Sequence, residues 1–246
     1  RIVVPTVERE IWVVGVDPNA TPKNYFKLFF RMPTGIPKED SINATLPVWD
    51  ATQHPSTSVA PSGYWFLTQG GRVGVARPAA RPQVATFTFP NQEKVGNSFA
   101  CGAKGLFVVT EKALYRLALV NDVITVVWRT PYDQGKPKLG QLSPGSGTTP
   151  TLHKDRFVSI GDNAKIMKAC IFDQDDGKLL DAAEVFGDQI GSACENSFIG
   201  YGNALVVSNT YGYLNPMHMR GYQQSFGITR LDADPATGKL SVKWYR

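Results

Sequence analysis

The sequence predicts an all-β fold in which one four-stranded unit is repeated along the chain. Short runs rich in Val, Ile, Phe, Tyr and Trp alternate with Gly, Pro, Asn and Asp, and no long window has apolar residues at helical spacing. The same order of runs returns at intervals of 42 to 50 residues. The composition, with 42% hydrophobic and 19% charged residues, is ordinary for a globular protein.

The repeat is clearest in four apolar runs that we assign to the second strand of each unit. Their second residues are Trp65, Phe107, Phe157 and Leu205, which lie 42, 50 and 48 residues apart. A polar-to-apolar segment precedes each run, and a turn and a third strand-like run follow it. The four second-strand runs are YWFLTQ (64–69), LFVVTE (106–111), RFVSIGD (156–162) and ALVVSN (204–209).

The segments before these runs are expected to form the first strand of each unit. They are STSVAPSG (56–63), NSFACGAKG (97–105), TTPTLHKD (148–155) and NSFIGYGN (196–203). The amino-terminal runs IVVPTV, EIWVVGVD and NYFKLFFRMP are expected to be the second, third and fourth strands of a unit that lacks its innermost strand.

Four short antiparallel strands in 40 to 50 residues are typical of a β-propeller blade. A blade cannot bury both of its faces alone, so blades must stack on one another. We therefore expect residues 1–246 to form a single β-propeller domain with about five blades, incomplete at both ends. The ring would contain six to eight blades, and the remaining part would come from further sequence or a companion chain.

Two turns carry a resemblance to a known family. The segment LDADPATGKLSVKW (231–244) contains Asp234, Thr237, Gly238 and Lys239 before Trp244, and FDQDDGKLL (172–180) is a degenerate copy. These turns resemble the PQQ-type repeats of quinoprotein-like β-propellers. The resemblance implies that Trp128 and Trp244 dock against a neighbouring blade.

Longer segments resemble a group of uncharacterised bacterial propeller proteins that are expected to be exported. This resemblance implies a fold and a secreted or periplasmic location, and no reaction. Sequons at Asn19 and Asn43 are compatible with secretion. The matching segments are RIVVPTVEREIWVV, NSFACGAKGLFVVTEKALYRL, GSGTTPTL and ENSFIGYGNALVVSNTYGY.

Charge and hydropathy narrow the range of partners. The net charge is +5, but the Lys and Arg residues are scattered, so we expect no nucleic-acid partner. No apolar run reaches 18 residues, so we expect no membrane span. A small molecule or a glycan remains a candidate ligand.

Propeller topology predicts where a site would form. The segments that lead into first strands and those that leave second strands lie at one face, around the mouth of the central channel. Carboxylate and amide oxygens there would suit Ca²⁺ bound in the channel. The same residue types also form ordinary turns, and this alternative stays open. The candidate ligands are Asp162, Asn163, Glu195, Asn196 and Asn209.

Histidines and cysteines give weaker predictions. His54 and His218 are candidate proton carriers, and His153 is expected to be structural. The long segment 209–224 is either a lid over the mouth or a packing segment.

Cys170 and Cys194 form a disulfide in one alternative, and all three cysteines, including Cys101, are buried thiols in the other.

The favoured function is a non-catalytic binding or scaffold module that presents the channel-mouth face to a glycan, a peptide or another subunit. The alternative is a calcium-assisted hydrolase or lactonase. A quinone-dependent dehydrogenase is a third hypothesis, implied by the resemblance alone. The sequence contains no G-x-S-x-G elbow and no Walker phosphate loop.

Overall fold

The computed structural model describes residues 2–17, 19, 25–48, 62–78, 83–154, 156–187, 191–213, 225 and 227–246. Across these ranges the chain forms strands, turns and one short 3₁₀ turn at Pro90–Gln92, without an α-helix. No helix in the described part of the chain is long and apolar enough to cross a bilayer.

The strands form five antiparallel sheets, and the strand order in each sheet follows the chain. Sheet A has three strands: β1 (Ile2–Pro5), β2 (Glu10–Val16) and β3 (Phe26–Pro33). Sheet B contains β4 (Ile42–Pro47), β5 (Tyr64–Thr68), β6 (Arg72–Arg77) and β7 (Gln83–Thr88). Sheet C contains β8 (Phe99–Gly102), β9 (Gly105–Val109), β10 (Ala113–Val120) and β11 (Val123–Pro131). Sheet D contains β12 (Thr151–His153), β13 (Phe157–Gly161), β14 (Lys168–Asp173) and β15 (Leu179–Glu184). Sheet E contains β16 (Ile199–Tyr201), β17 (Ala204–Ser208), β18 (Ile228–Ala233) and β19 (Leu240–Tyr245).

The predicted second strands are confirmed, because β5, β9, β13 and β17 fall on the four aligned apolar runs. These strands are continuous apolar stretches since both of their faces are covered. In β5 every residue is buried, and β13 is buried throughout as well.

The chain divides into two compact units. Unit 1 comprises Arg1–Lys94 and Leu119–Thr125, and unit 2 comprises Val95–Ala118 and Val126–Arg246. Sheets A and B belong to unit 1, and sheets D and E belong to unit 2 together with most of sheet C.

The assignment of the amino-terminal strands was wrong. In unit 2 the first strands β8, β12 and β16 lie side by side, and in unit 1 β1 lies beside β4, the first strand of sheet B. Strand β1 is therefore the innermost strand of sheet A. Within the residues that the structure describes, sheet A has no outer fourth strand, and its innermost strand is present.

The first strand of sheet B was also placed wrongly. The strand that pairs with β5 is β4, with Leu46 opposite Trp65, and the segment 56–63 is not that strand. Most of that segment, 56–61, lies outside the described residues. The expected segment lies next to β5 in the sequence, whereas the strand that pairs with β5 is the more distant INATLP of β4. The pairing partner of a strand does not follow from closeness along the chain.

Sheet D is the centre of the packing in unit 2. One of its faces packs on sheet C, where Val158, Ile160 and Phe172 meet Phe107 and Leu114. Its other face packs on sheet E, and the side chains alternate between the two interfaces as the pleat requires. Phe157, Ala169 and Ile171 meet Leu205, Val207 and Leu231 there.

The expected tryptophan docking is observed for Trp128. Its Nε1 donates a hydrogen bond to the carbonyl oxygen of Gln174 at 2.9 Å. Its ring lies on Gly177, in the turn between β14 and β15 of the next sheet. Trp244, in contrast, is 37% exposed.

Cys170 and Cys194 are buried thiols and not a disulfide. The physical reason is their location on opposite sides of sheet D. Cys170 belongs to the interface with sheet C, and Cys194 to the interface with sheet E. Burial raises the pKa of both thiols, that of Cys194 to about 11.

Replacing Gly177 with Ala is expected to destabilise unit 2 strongly. Gly177 has φ +73°, and an added Cβ would lie 2.5 Å from the ring of Trp128. The matched control is Gly202→Ala, where φ is +59° but nothing lies within 4 Å. We expect about 1 kcal/mol for the control, from backbone strain alone. We expect roughly 1–3 kcal/mol more for Gly177→Ala, from overpacking.

The measurement is the free energy of unfolding in a chemical denaturant. Equal losses for the two variants would show that the contact of Trp128 with the turn does not contribute to stability.

Candidate functional site

The loops at one end of unit 2 interlock through polar groups. Segments that precede first strands meet the end of a second strand and one another. The backbone N–H of Gly161 donates to Thr148 Oγ1 at 3.0 Å, and Asn97 Nδ2 donates to the carbonyl of Ser146 at 2.8 Å. These contacts satisfy backbone groups at sheet ends where no strand ladder continues.

The long loop 132–150, between β11 and β12, ties this end together. Lys138 Nζ donates to the carbonyl oxygen of Ala164 at 2.5 Å and to that of Ser192 at 2.7 Å. One ammonium group thus links this loop to the segment after β13 and to the segment before β16. The sequence reasoning missed Lys138, although the length and Gly/Pro content of its loop were available signals.

Asp162 follows β13 and is only 7% exposed. Its Oδ1 accepts the backbone N–H of Lys168 at 2.7 Å and that of Ala164 at 3.3 Å. Burial raises the pKa of Asp162 to about 6, because the desolvation of the carboxylate outweighs these hydrogen bonds and the charge of Lys138.

Glu195 and Lys138 are half-buried, and the pKa of each is shifted in the direction that favours its neutral form. Burial raises the pKa of Glu195, and a hydrogen bond from the backbone N–H of Leu142 opposes this. Burial also lowers the pKa of Lys138, with the negative charge of Asp162 acting in the opposite direction. Gly147 makes room for Glu195, since a Cβ there would collide with its carboxylate.

Three asparagines of the predicted calcium set are occupied with protein contacts. Asn163 Nδ2 donates to the carbonyl oxygens of Gln134 and Lys136 in the long loop, at 2.9 and 3.1 Å. Asn209 Oδ1 accepts two backbone N–H groups, from Ala193 at 3.2 Å and Tyr211 at 3.1 Å. Asn196 is exposed, and its Nδ2 donates to Ser208 Oγ at 3.3 Å.

Calcium takes six to eight oxygen ligands. Within the part of the chain that the structure describes, no three His, Cys, Asp or Glu side chains are grouped to hold a metal ion. The predicted donor set contains two carboxylates, Asp162 and Glu195, and three side-chain amides, of which those of Asn163 and Asn209 already bond the backbone. The calcium site stays a prediction.

The predicted proton carriers His54 and His218 lie outside the described residues, and so does 214–224 of the predicted lid. His153, expected to be structural, is buried between sheets D and E, with Nε2 2.9 Å from Ser159 Oγ. Burial lowers its pKa.

Exposed apolar side chains border the charged groups. They lie on the loop 132–150, on the segment after β13 and on the segment after β17. The backbone N–H of Gly212 donates to the carbonyl oxygen of Leu139, and the backbone N–H of Leu142 donates to Glu195. Leu142 is 85% exposed. We call this region the mouth surface, and define it as Lys138, Leu139, Leu142, Asp162, Ile166, Glu195 and Tyr213.

Comparisons with known proteins establish the fold. The chain is similar over 99% of its length to a “putative 6-phosphogluconolactonase” of Bacteroides uniformis, with TM-score 0.55 and 14% identity. It is similar over 89% of its length to BamB of Moraxella catarrhalis, with TM-score 0.51 and 12% identity. A europium-containing methanol dehydrogenase matches 76% of the chain with TM-score 0.52 and 14% identity. The fold is a β-propeller. At these identities the similarity concerns the fold alone.

Sequence comparison adds little about activity. No known protein-family model matches the chain. An uncharacterised protein of Archaeoglobus fulgidus is 36% identical over 118 residues, which cover 45% of this chain and 23% of that protein. The chain thus matches about a quarter of the length of this relative, and it covers 67% of each of the Bacteroides and Moraxella structures.

Replacing Asp162 with Asn is expected to change how stability depends on pH. The folded-state pKa of Asp162, about 6, lies above its ordinary value of 3.8. The folded protein therefore loses stability as pH rises from about 4 to 6, when the buried carboxyl must ionise. Asn keeps the acceptor oxygen and cannot ionise. We therefore expect Asp162→Asn to raise the free energy of unfolding above that of the wild type, by roughly 2–3 kcal/mol more at pH 7 than at pH 4.

The measurement is denaturant unfolding of both proteins between pH 4 and 7. The control is Asp176→Asn, at an exposed turn where the carboxylate likewise accepts a backbone N–H. Parallel pH profiles for the wild type and Asp162→Asn would contradict the prediction.

Proposed function

We propose that this propeller is a non-catalytic binding module whose mouth surface docks a protein partner. The observation that carries the proposal is the combination of exposed Leu139, Leu142 and Tyr213 with the half-buried charges of Lys138 and Glu195. Exposed apolar side chains that are rimmed by polar residues are typical of interaction surfaces.

A protein fits this surface better than a glycan does. The most exposed side chain is aliphatic, and leucine offers no flat face for stacking against a sugar ring. The loops are also tied down by Lys138 and Asn163, so the surface is already ordered before a partner binds. Little ordering entropy would then be lost on association.

Site-specific photo-crosslinking in the source cells tests this proposal. A benzoylphenylalanine placed at 142 or 166 should crosslink to the same partner, because both positions lie on the mouth surface. The control position is 7, in the turn between β1 and β2, where Val7 is equally exposed. Adding Lys138→Met should weaken the crosslinks by loosening the loop. Crosslinking at 142 no stronger than at 7 would refute the proposal.

A lactone or ester hydrolase is the second candidate. The observation that favours it is the pKa of Asp162, about 6, which suits a group that accepts and releases a proton near neutral pH. The similarity to the Bacteroides protein is compatible with it. The predicted calcium ion belongs to this candidate, where it would polarise a substrate oxygen.

Lactone hydrolysis by the purified protein, with and without added calcium, tests the second candidate. If Asp162 carries the proton, Asp162→Asn should lower the rate by about 10²-fold or more. Asp176→Asn should leave it unchanged. Turnover equal to that of buffer, or equal rates for wild type and Asp162→Asn, would exclude the role. Calorimetric titration with calcium tests the metal separately.

A further inference from the structure

A cavity in unit 1 lies between sheet B and the tip of the hairpin that β10 and β11 form. Its volume is about 300 Å³, which is the space of roughly ten water molecules in the liquid. The residues that line it belong to unit 1, whereas those of the mouth surface belong to unit 2. Its apolar lining includes Val75, Ala85 and Leu119, and its polar lining consists of Arg77, Gln83 and Asp122.

The cavity is apolar on its inner side and polar on its outer side. Val75 on β6 lies opposite Ala85 on β7, and Arg77 lies opposite Gln83 at the next position on the same face of sheet B. Val75 is 2% exposed, whereas Gln83 is exposed at the start of β7. A ligand can therefore place an apolar group against Val75 and Ala85 while its polar end stays beside Arg77.

Arg77 and Asp122 form an ion pair beside the apolar lining. Arg77 Nη1 donates to Asp122 Oδ1 at 2.5 Å, and within the residues that the structure describes this is the only hydrogen bond of the two charged groups. A guanidinium has five N–H donors, and a carboxylate has two acceptor oxygens. The pair therefore keeps donors at Arg77 and an acceptor at Asp122 that a ligand can use.

Both charged groups are held in place by the backbone around them. The stem of Arg77 packs on Gly63, where an added Cβ would lie 3.1 Å from Arg77 Cγ. Asn121 and Asp122 both have positive φ, 48° and 64°, as the two-residue turn of a tight hairpin requires. Because the turn and the strand fix the two charges, a ligand would lose little entropy in ordering them.

We propose that this cavity binds a free amino acid with a short aliphatic side chain, such as leucine or valine. The α-carboxylate accepts N–H groups of Arg77, and the α-ammonium donates to Asp122. The aliphatic side chain lies against Val75, Ala85 and Leu119. This site is independent of the partner proposed for the mouth surface.

The two charges beside the cavity favour a zwitterion. A simple carboxylate would be attracted by Arg77 and repelled by Asp122, and a simple amine would meet the opposite pair of forces. A ligand that carries both charges gains from both residues. The volume sets the size, because space for roughly ten water molecules corresponds to a ligand of about ten non-hydrogen atoms.

Titration of the isotopically labelled protein with L-leucine, followed by NMR, tests the proposal. The amide signals of Ala85 and Asp122 should shift and saturate, and that of Leu142 on the mouth surface should not move. Three analogues each remove one feature: isocaproate lacks the ammonium, isoamylamine lacks the carboxylate and glycine lacks the apolar side chain. Each should bind more weakly than leucine, by about tenfold or more.

Unchanged signals of Ala85 and Asp122 up to about 10 mM leucine would overturn the proposal, since a ligand of this size binds a fitting site below that concentration. Equal affinities for leucine and isocaproate would overturn the role of Asp122, and with it the amino acid as ligand.

Variants of the two charged residues give an independent readout. Asp122→Asn keeps the turn, because Asn tolerates positive φ, and Arg77→Met keeps an unbranched apolar stem. Each should weaken leucine binding by about tenfold or more, since each removes a charge-assisted hydrogen bond. The control is Asp176→Asn, in an exposed turn of unit 2, which should bind leucine as the wild type does. Wild-type affinity in Asp122→Asn or in Arg77→Met would overturn the proposal.

Discussion

The burial of apolar faces between consecutive sheets is the constraint on which the rest of this structure depends. A four-stranded sheet has two faces, and neither is stable in water when it carries Phe, Ile and Val. In unit 2 the side chains of β13 therefore alternate between the interfaces with sheets C and E. The turns between strands are built to allow this close approach, as Gly177 does under Trp128.

The same constraint explains where functional groups can collect. The strand ladders satisfy the backbone within each sheet, but the loops at sheet ends must find other partners. Lys138, Asn163 and Asn209 supply them by bonding to carbonyls and N–H groups of neighbouring loops. A rigid set of loops results, and it presents side chains that the sheet packing does not require.

Burying charged groups at this end of unit 2 costs free energy, so the place where they are buried gives information about function. Desolvation shifts the pKa values of Asp162, Glu195 and Lys138 in the directions that favour their neutral forms. The location of these three side chains is therefore not explained by stabilisation of their charged forms. Perturbed groups gathered in one region are a recognised sign of a functional surface. The exposed leucines beside them favour binding as the use of this surface.

The sequence alone determined the all-β fold and the second strands β5, β9, β13 and β17. These features are encoded locally, because a buried strand requires a continuous apolar run such as YWFLT and a turn requires Gly, Asn or Asp. It also predicted the docking of Trp128, through the resemblance of the Gly177 turn to a known repeat.

Only the tertiary structure decided which strand of sheet A is innermost, which segment pairs with β5, and that Lys138 joins three loops. The apolar alternation of β1 fits a first or a second strand equally well, and its neighbour β4 settles the choice. Lys138 lies in a Gly- and Pro-rich loop without periodicity, so its partners Ala164 and Ser192 are set by the folding of distant segments onto one another.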